Sequence, residues 1–372
     1  MRIRSRHDCN GGVIWHLAEN RPAAFPCGAA PTARQRECRT MTTSRLPRSR
    51  IVMSDHFRQG LKLPLIAAPM FLVSGPELVI AACRAGIIGS FPAANAKSSE
   101  EFRAWLNDIS EAVRAGDCAT YTMNLVVRNA TDARFRETLA IIEEFRVPIV
   151  ITSVGQPGDV SGRVHAYGGI VFHDVATMRH AEKAIAAGVD GLILLTAGAG
   201  GHTGTANPFA FVRQVRAMWD GLIILAGCLG DGYGVRAAEV LGADLAYMGT
   251  RFAATRESRA SNAYKALLVS QKMSDIVVTD RISGLPATFM RGSIAAAGLD
   301  PDDLPATNGR FHSGLPPHIK AWRDVWSAGH GVGSITDIPS VADLARQLVA
   351  DYRAAGGSPL PAMAPSRSVP VG

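Results

Sequence analysis

Four glycines surround one histidine in AGAGGHTG, residues 197–204, where Gly198, Gly200, Gly201 and Gly204 flank His202. A glycine carries no Cβ, so its backbone amide can approach a ligand closely. A neutral imidazole among such amides is suited to moving a proton near neutral pH. Further along, Gly227 and Cys228 lead into Gly230, Gly232 and Gly234 at the start of an apparent helix. The amides and dipole of a helix start attract phosphate. The run MGTRF offers the amides of Gly249 and Thr250, and the Thr250 hydroxyl, to the same phosphate. In AAPMFLVSG, Pro69, Met70 and Phe71 could lay backbone and a soft thioether against a flat ring. Asn124 interrupts the apolar run TMNLVV. Burying it unpaired would cost roughly 1–3 kcal/mol, so it bonds either a ligand's ring edge or a neighbouring loop. His173, ending VFHDV, is the rival to His202. The loop of His202 is free of bulky side chains, which favours His202 as the proton-handling group.

The elements that must position these groups alternate regularly. Short apolar runs at 63–70, 85–91, 120–127, 148–154, 168–175, 190–196, 221–227 and 243–249 are separated by amphipathic, helix-like segments. Strands that are apolar on both faces, each followed by a helix, imply a parallel sheet covered on both sides. Eight such units over roughly 200 residues predict a closed (β/α)8 TIM barrel rather than an open doubly wound sheet. His202 then falls beyond the C-terminal end of the sixth strand, where barrel enzymes place their chemistry, and the two glycine-rich loops follow strands seven and eight. Past Arg251 the alternation stops. ESRASNAYKALLVSQ, FMRGSIAAAGLD and HIKAWRDVWSAG are expected to be helical, and SDIVVTDRIS holds one strand. The expected division is a basic, disordered extension over 1–55, a barrel over 56–255 and a mostly helical lobe over 256–330. A helix over 331–355 returns to the barrel, and 356–372 is a disordered tail.

The net charge of +7 belongs to the first fifty residues, which hold ten Arg, no Lys and three acids. The other 322 residues carry 29 basic and 29 acidic side chains, so the body offers no electrostatic case for nucleic acid. The Arg-rich leader is read most simply as an upstream extension before a start at Met41 or Met53. No apolar run approaches the length of about 18 residues needed to cross a membrane. Cys83, Cys118 and Cys228 lack metal-ligand spacing and are expected to be reduced core thiols of a cytoplasmic protein.

Taken in order, AAPMFLVSG, TMNLV, VFHDVATMRHAEKAIAAGVDGLI, AGGHTG, AGCLGDG and YMGTRFAAT resemble the nitronate monooxygenase family, once called 2-nitropropane dioxygenases. The resemblance spans about residues 56–350. It implies one non-covalent FMN, oxidation of alkyl nitronates by dioxygen to carbonyl compounds and nitrite, and a monomer or homodimer. It places the catalytic histidine at His202. Flavin contacts fall on Pro69, Met70, Phe71, Asn124, Asp174, Gly200, Gly201, Gly227, Cys228, Gly249 and Thr250, and no metal is implied. Three positions depart from the family: Ala67 and Ala68 precede Pro69–Met70, Asp174 stands where a lysine is frequent, and Cys228 replaces a glycine. The same Gly-Gly-His loop occurs in NAD(P)H-dependent flavin reductases of quinones or enoyl thioesters. That activity is the alternative, with a non-enzymatic flavin-binding protein behind it.

Overall fold

The computed structural model describes residues 4–7, 13–16, 55–128, 132–307, 309 and 311–358. Most of the expected extension, and the tail beyond 358, lie outside the described residues. The chain divides into Met1–Arg48 and Ser49–Gly372. In the first unit Arg4–His7 pairs antiparallel with Val13–His16, which the sequence pattern had not signalled.

The second unit is built on eight parallel strands: β1 (Leu65–Ala67), β2 (Gly89–Pro92), β3 (Tyr121–Val126), β4 (Ile149–Ser153), β5 (Ile170–Val175), β6 (Gly191–Leu195), β7 (Leu222–Ala226) and β8 (Leu245–Met248). From β2 each pairs with the next through β8, and β8 returns to β1 with Tyr247 opposite Ile66. A parallel bridge between Ile66 and Ile88, with Ala67 N donating to Ile88 O at 2.9 Å, closes the ring between β1 and β2. The expected strands recur within a few residues of their ends, and the sheet is a TIM barrel.

Side chains alternate across these strands with a period of two. Ile151, Phe172, Ile193, Ile224 and Leu245 fill the barrel, while Val150, Val171, Leu192, Ile223 and Ala246 face the helices. Phe57 and Leu61 join the interior cluster and stopper the end opposite the active loops. Burying each large apolar side chain contributes about 1.5–3 kcal/mol. Crossovers run through α1 (Pro76–Arg84), α2 (Ser99–Arg114), α3 (Ala133–Glu144), α4 (Val160–Ala166), α5 (Met178–Ala186), α6 (Pro208–Met218) and α7 (Gly232–Leu241). Several start on a side-chain cap: Ser98 accepts from Glu101 N, Thr177 from His180 N and Asp231 from Gly234 N.

After β8 the chain builds the lobe. Helices Asn262–Ser270 and Arg291–Ala296 sit beside an antiparallel pair, Ile276–Thr279 with Ala287–Met290. Two expectations need correction. FMRGSIAAAGLD does not begin as a helix, because Phe289 and Met290 end a buried strand. HIKAWRDVWSAG is not helical at all. Trp322 takes φ 70°, and a bridge between Ala321 and Val325 folds the segment into a tight turn. The apolar spacing of its tryptophans serves the lobe core instead. After a short 3-10 turn at His330–Ser334, the last helix, α8, spans Val341–Ala354, packs on α7 and buries Leu344, Leu348 and Tyr352. It lies so close to α7 that a Cβ on Gly232 would stand 2.2 Å from Leu348 O.

Candidate active site

At the C-terminal ends of the strands the expected site residues come together in three groups. The loop after β1 is pinned by Asn95, whose amide donates to Met70 O (3.0 Å) and Ser74 O (2.8 Å) and whose carbonyl accepts from Leu72 N (2.8 Å). This leaves Phe71 and Leu72 exposed and sets Met70 beside Gly249, where a glycine Cβ would be 3.6 Å from the thioether sulfur. Loops six, seven and eight converge next. A Cβ on Gly200 would meet Thr250 Oγ1 at 2.9 Å, and one on Gly198 would meet Cys228 Sγ at 2.7 Å. Cys228 Sγ donates to Ala197 O at 3.2 Å with its backbone at φ 58°. It is exposed and Cys118 half-buried, so of the three cysteines expected in the core only Cys83 is there.

The glycine-rich start of α7 is less open to a phosphate than its sequence implies. Gly232 serves the α8 contact, and the Asp231 carboxylate already accepts from Gly234 N at 2.8 Å. A phosphate seat is thereby confined to the turn before Asp231 together with Gly249 and Thr250. The Thr250 hydroxyl accepts from Gly329 N at 3.0 Å, which leaves its proton free to donate. In the third group, Asn124 donates to Ser153 Oγ (3.0 Å) and Ile151 O (3.3 Å). Its amide therefore ties β3 to β4, and only its carbonyl oxygen is left for a ligand.

The two histidines separate cleanly. His173 shares the outer face of β5 with Val171 and Val175, is buried, and meets Thr152 Oγ1 through Nδ1 at 2.8 Å. Burial, with His180 adding, depresses its pKa to about 4, so it is a neutral core residue on the helix-facing side of the strand rather than inside the barrel. His202 instead lies in a two-residue strand, Gly201–His202, which forms the edge of the lobe sheet with His202 opposite Ala287. Among the described residues no group hydrogen-bonds its ring, which packs edge-to-face on Trp322 at 5.6 Å. Burial lowers its pKa below the ordinary histidine value, which favours the neutral imidazole with one nitrogen lone pair open to a proton.

Asp174 takes the inner face of β5, next to Phe172 in the alternation, at the barrel mouth. Its Oδ1 is buried without a hydrogen-bond partner, and burial pushes its pKa up to about 7. An orphaned buried oxygen costs about 1–3 kcal/mol and asks for a polar ligand atom. That orphan, and the close convergence of the Gly200, Cys228 and Gly249 loops, fit a flat heterocycle with a polar edge lying across the mouth. Among the described residues no cluster of metal-ligating side chains exists, and no helix is long and apolar enough to cross a membrane.

A family model described as nitronate monooxygenase matches residues 104–351. The chain belongs to the nitronate monooxygenase family. It is a flavin-dependent oxidoreductase on a TIM barrel. Nitronate monooxygenase of Pseudomonas aeruginosa is 28% identical over 357 residues, covering 81% of this chain and 100% of the relative. A Rhodococcus jostii enzyme named (3aS,4S,5R,7aS)-5-hydroxy-7a-methyl-1-oxo-octahydro-1H-indene-4-carboxyl-CoA dehydrogenase is 28% identical over 252 residues, covering 64% of this chain and 69% of the relative. The solved structure of FabK from Thermotoga maritima superposes with a TM-score of 0.65 at 23% identity, covering 81% of this chain and 96% of that one. It speaks for the fold alone.

Of the residues that shape the site, Asn95 and His330 were not singled out by sequence, whereas the segment 327–329 was expected to close over the flavin on the family resemblance. Asn95 holds the first loop. Ser327 Oγ accepts from Gly201 N (2.8 Å) and donates to Thr288 O (2.5 Å), locking the histidine strand to the lobe. His330 N donates to Gly198 O at 2.9 Å. Partners this far along the chain, from 21 residues for Asn95 to more than a hundred for Ser327 and His330, leave no local signature.

Proposed function

We propose that this member oxidises alkyl nitronates with dioxygen to carbonyl compounds and nitrite, using FMN. The observation that carries the reading is His202, whose imidazole is kept toward its neutral form by burial and has no hydrogen-bond partner among the described residues. Bound there, the flavin supplies electron acceptance from the nitronate and reaction with dioxygen. His202 takes the proton from the carbon bearing nitrogen when the neutral nitroalkane is presented. Met70, Pro69 and Phe71 back one part of the ring, while Gly200, Gly201, Gly249 and Thr250 approach through backbone and hydroxyl. Gly227 and Cys228 shape the turn that would receive a single terminal phosphate, which supports FMN over a dinucleotide. Asp174 meets the polar edge. Phe71 and Leu72, exposed at the rim, suit a small apolar substrate.

The CoA-ester dehydrogenase among the relatives favours a second reading, in which the same base works at the carbon next to a thioester carbonyl, with a nicotinamide or acyl-CoA exchanging electrons with the flavin. Mass spectrometry of the released cofactor tests FMN against FAD. Mixing the purified protein without air with propyl-2-nitronate, NADPH or an acyl-CoA decides the substrate. Bleaching by nitronate alone supports the first reading. Bleaching by NADPH or acyl-CoA, with nitronate inert, replaces it by the second.

A further inference from the structure

Trp322 occupies an unusual place. Its backbone lies at φ 70°, a region that bulky residues rarely adopt and that costs free energy unless the surroundings impose it. The turn is fixed by Trp322 N donating to Val325 O at 3.0 Å and by the bridge between Ala321 and Val325. Its indole is tilted against the buried Phe289 ring at 4.8 Å. Phe289 lies two residues beyond Ala287, the strand partner of His202. The indole also meets the His202 imidazole at 5.6 Å and 89°.

An imidazole that acts as a base is ordinarily held in plane by a hydrogen bond to its second nitrogen, from a carboxylate or carbonyl. His202 has no such partner among the described residues. The aromatic contact is the directional restraint that remains, since ring pairs favour an edge-to-face arrangement.

We propose that Trp322 is the positioning residue for His202, fixing the plane of the imidazole and walling it from water so that both nitrogens stay free for substrate. The inference rests on the proton-transfer role proposed for His202. No neighbouring charge accounts for the state of the ring. The paired strand Ala287–Met290 carries no ionisable side chain, Arg323 and Asp324 pair with one another, and burial is the cause acting on His202. Lys320 lies in the same turn, and His330 and Cys228 stand beside Gly198 in the histidine's own loop.

The test compares Trp322→Phe, Trp322→Leu and Trp322→Ala in the flavin-loaded protein. The His202 titration is followed by proton NMR, assigned by the resonance lost in His202→Asn, alongside the pH profile of turnover on a neutral nitroalkane. Trp322→Phe should keep both near wild type. Trp322→Leu retains apolar bulk, guards against misfolding, and should lower kcat by about 10²-fold with little change in KM, the order expected for a misplaced reacting group. Trp322→Ala should in addition move the His202 titration up toward 6.5, the ordinary histidine value, as water enters. An unchanged titration in folded Trp322→Ala, or a loss in Trp322→Phe equal to that in Trp322→Leu, overturns the proposal. A shifted titration in a protein inert toward nitroalkanes and nitronates would leave the positioning role standing and remove the substrate reading instead.

Discussion

Asp174→Asn changes one atom type at the barrel mouth and should alter the pH dependence of stability in a calculable way. In the flavin-free protein the Asp174 carboxyl keeps its proton up to about 7, whereas the unfolded chain releases it near 3.8. Between those values the folded state binds more protons, so this group's contribution to stability is lost as pH rises from 4 to 7. About three pKa units at 1.36 kcal/mol each give about 4 kcal/mol as the upper limit at pH 8. The neighbouring His173 works in the opposite direction. Its pKa falls from 6.5 to about 4 on folding, so stability is lost as pH drops through that window, by about 3 kcal/mol at most. The two slopes oppose each other, and wild type should vary little between pH 4 and 6.5. Asp174→Asn unmasks the histidine. The variant should match wild type at pH 4 apart from a constant offset, then gain on it steadily, reaching up to about 4 kcal/mol greater stability at pH 8. Urea unfolding of the flavin-free proteins, followed by tryptophan fluorescence from pH 4 to 8, measures this directly. A difference that stays constant across the series, or grows in the other direction, would refute a buried, protonated Asp174.

His202→Asn should retain flavin but slow turnover of the neutral nitroalkane by roughly 10²–10⁴-fold, the usual range for a lost general base. Pre-ionised nitronate should suffer much less, and equal losses on steady-state assay of both substrates would make His202 a shape-determining residue. Gly232→Ala should destabilise the fold despite alanine's better helix propensity, because the new Cβ would stand 2.2 Å from Leu348 O and 2.3 Å from Tyr352 N, both backbone atoms. Overpacking of this kind costs about 1–3 kcal/mol, read as a lowered melting temperature with flavin affinity unchanged.

The barrel was legible because its strands are apolar on both faces and its turns are marked by glycine. DGLILLT and GLIILAG can hardly be anything but buried parallel strands, and both appear within a residue or two of their expected ends. The lobe was not legible to the same degree. Trp322 and Trp326 stand four apart, as on a helix face, yet one packs on Phe289 and the other stacks on Tyr264 at 5.2 Å. Tertiary packing explains that spacing better than helical periodicity does. At the candidate site, the loop of His202 stood out by its glycines, but its strand partner Ala287 lies far along the chain and gave no local cue. Glycine count also misled at α7, since Gly232 answers to a neighbouring helix and Asp231 caps the amide of Gly234.

The edge strand Gly201–His202 is at once the loop that follows β6 and part of the lobe's sheet. Barrel and lobe are therefore not exchangeable modules. A chimera that kept this barrel and took a foreign lobe would retain the ring of strands and most of the flavin seat. It would also strip the histidine of Ala287, of the Thr203 N to Pro286 O bond at 3.0 Å, and of its Trp322 wall. Divergence in this architecture is thus constrained to proceed by paired change. The lobe is freest to vary on surfaces turned away from Ala287–Met290, whereas Phe71 and Leu72 stand exposed on the barrel's own first loop, outside that coupling.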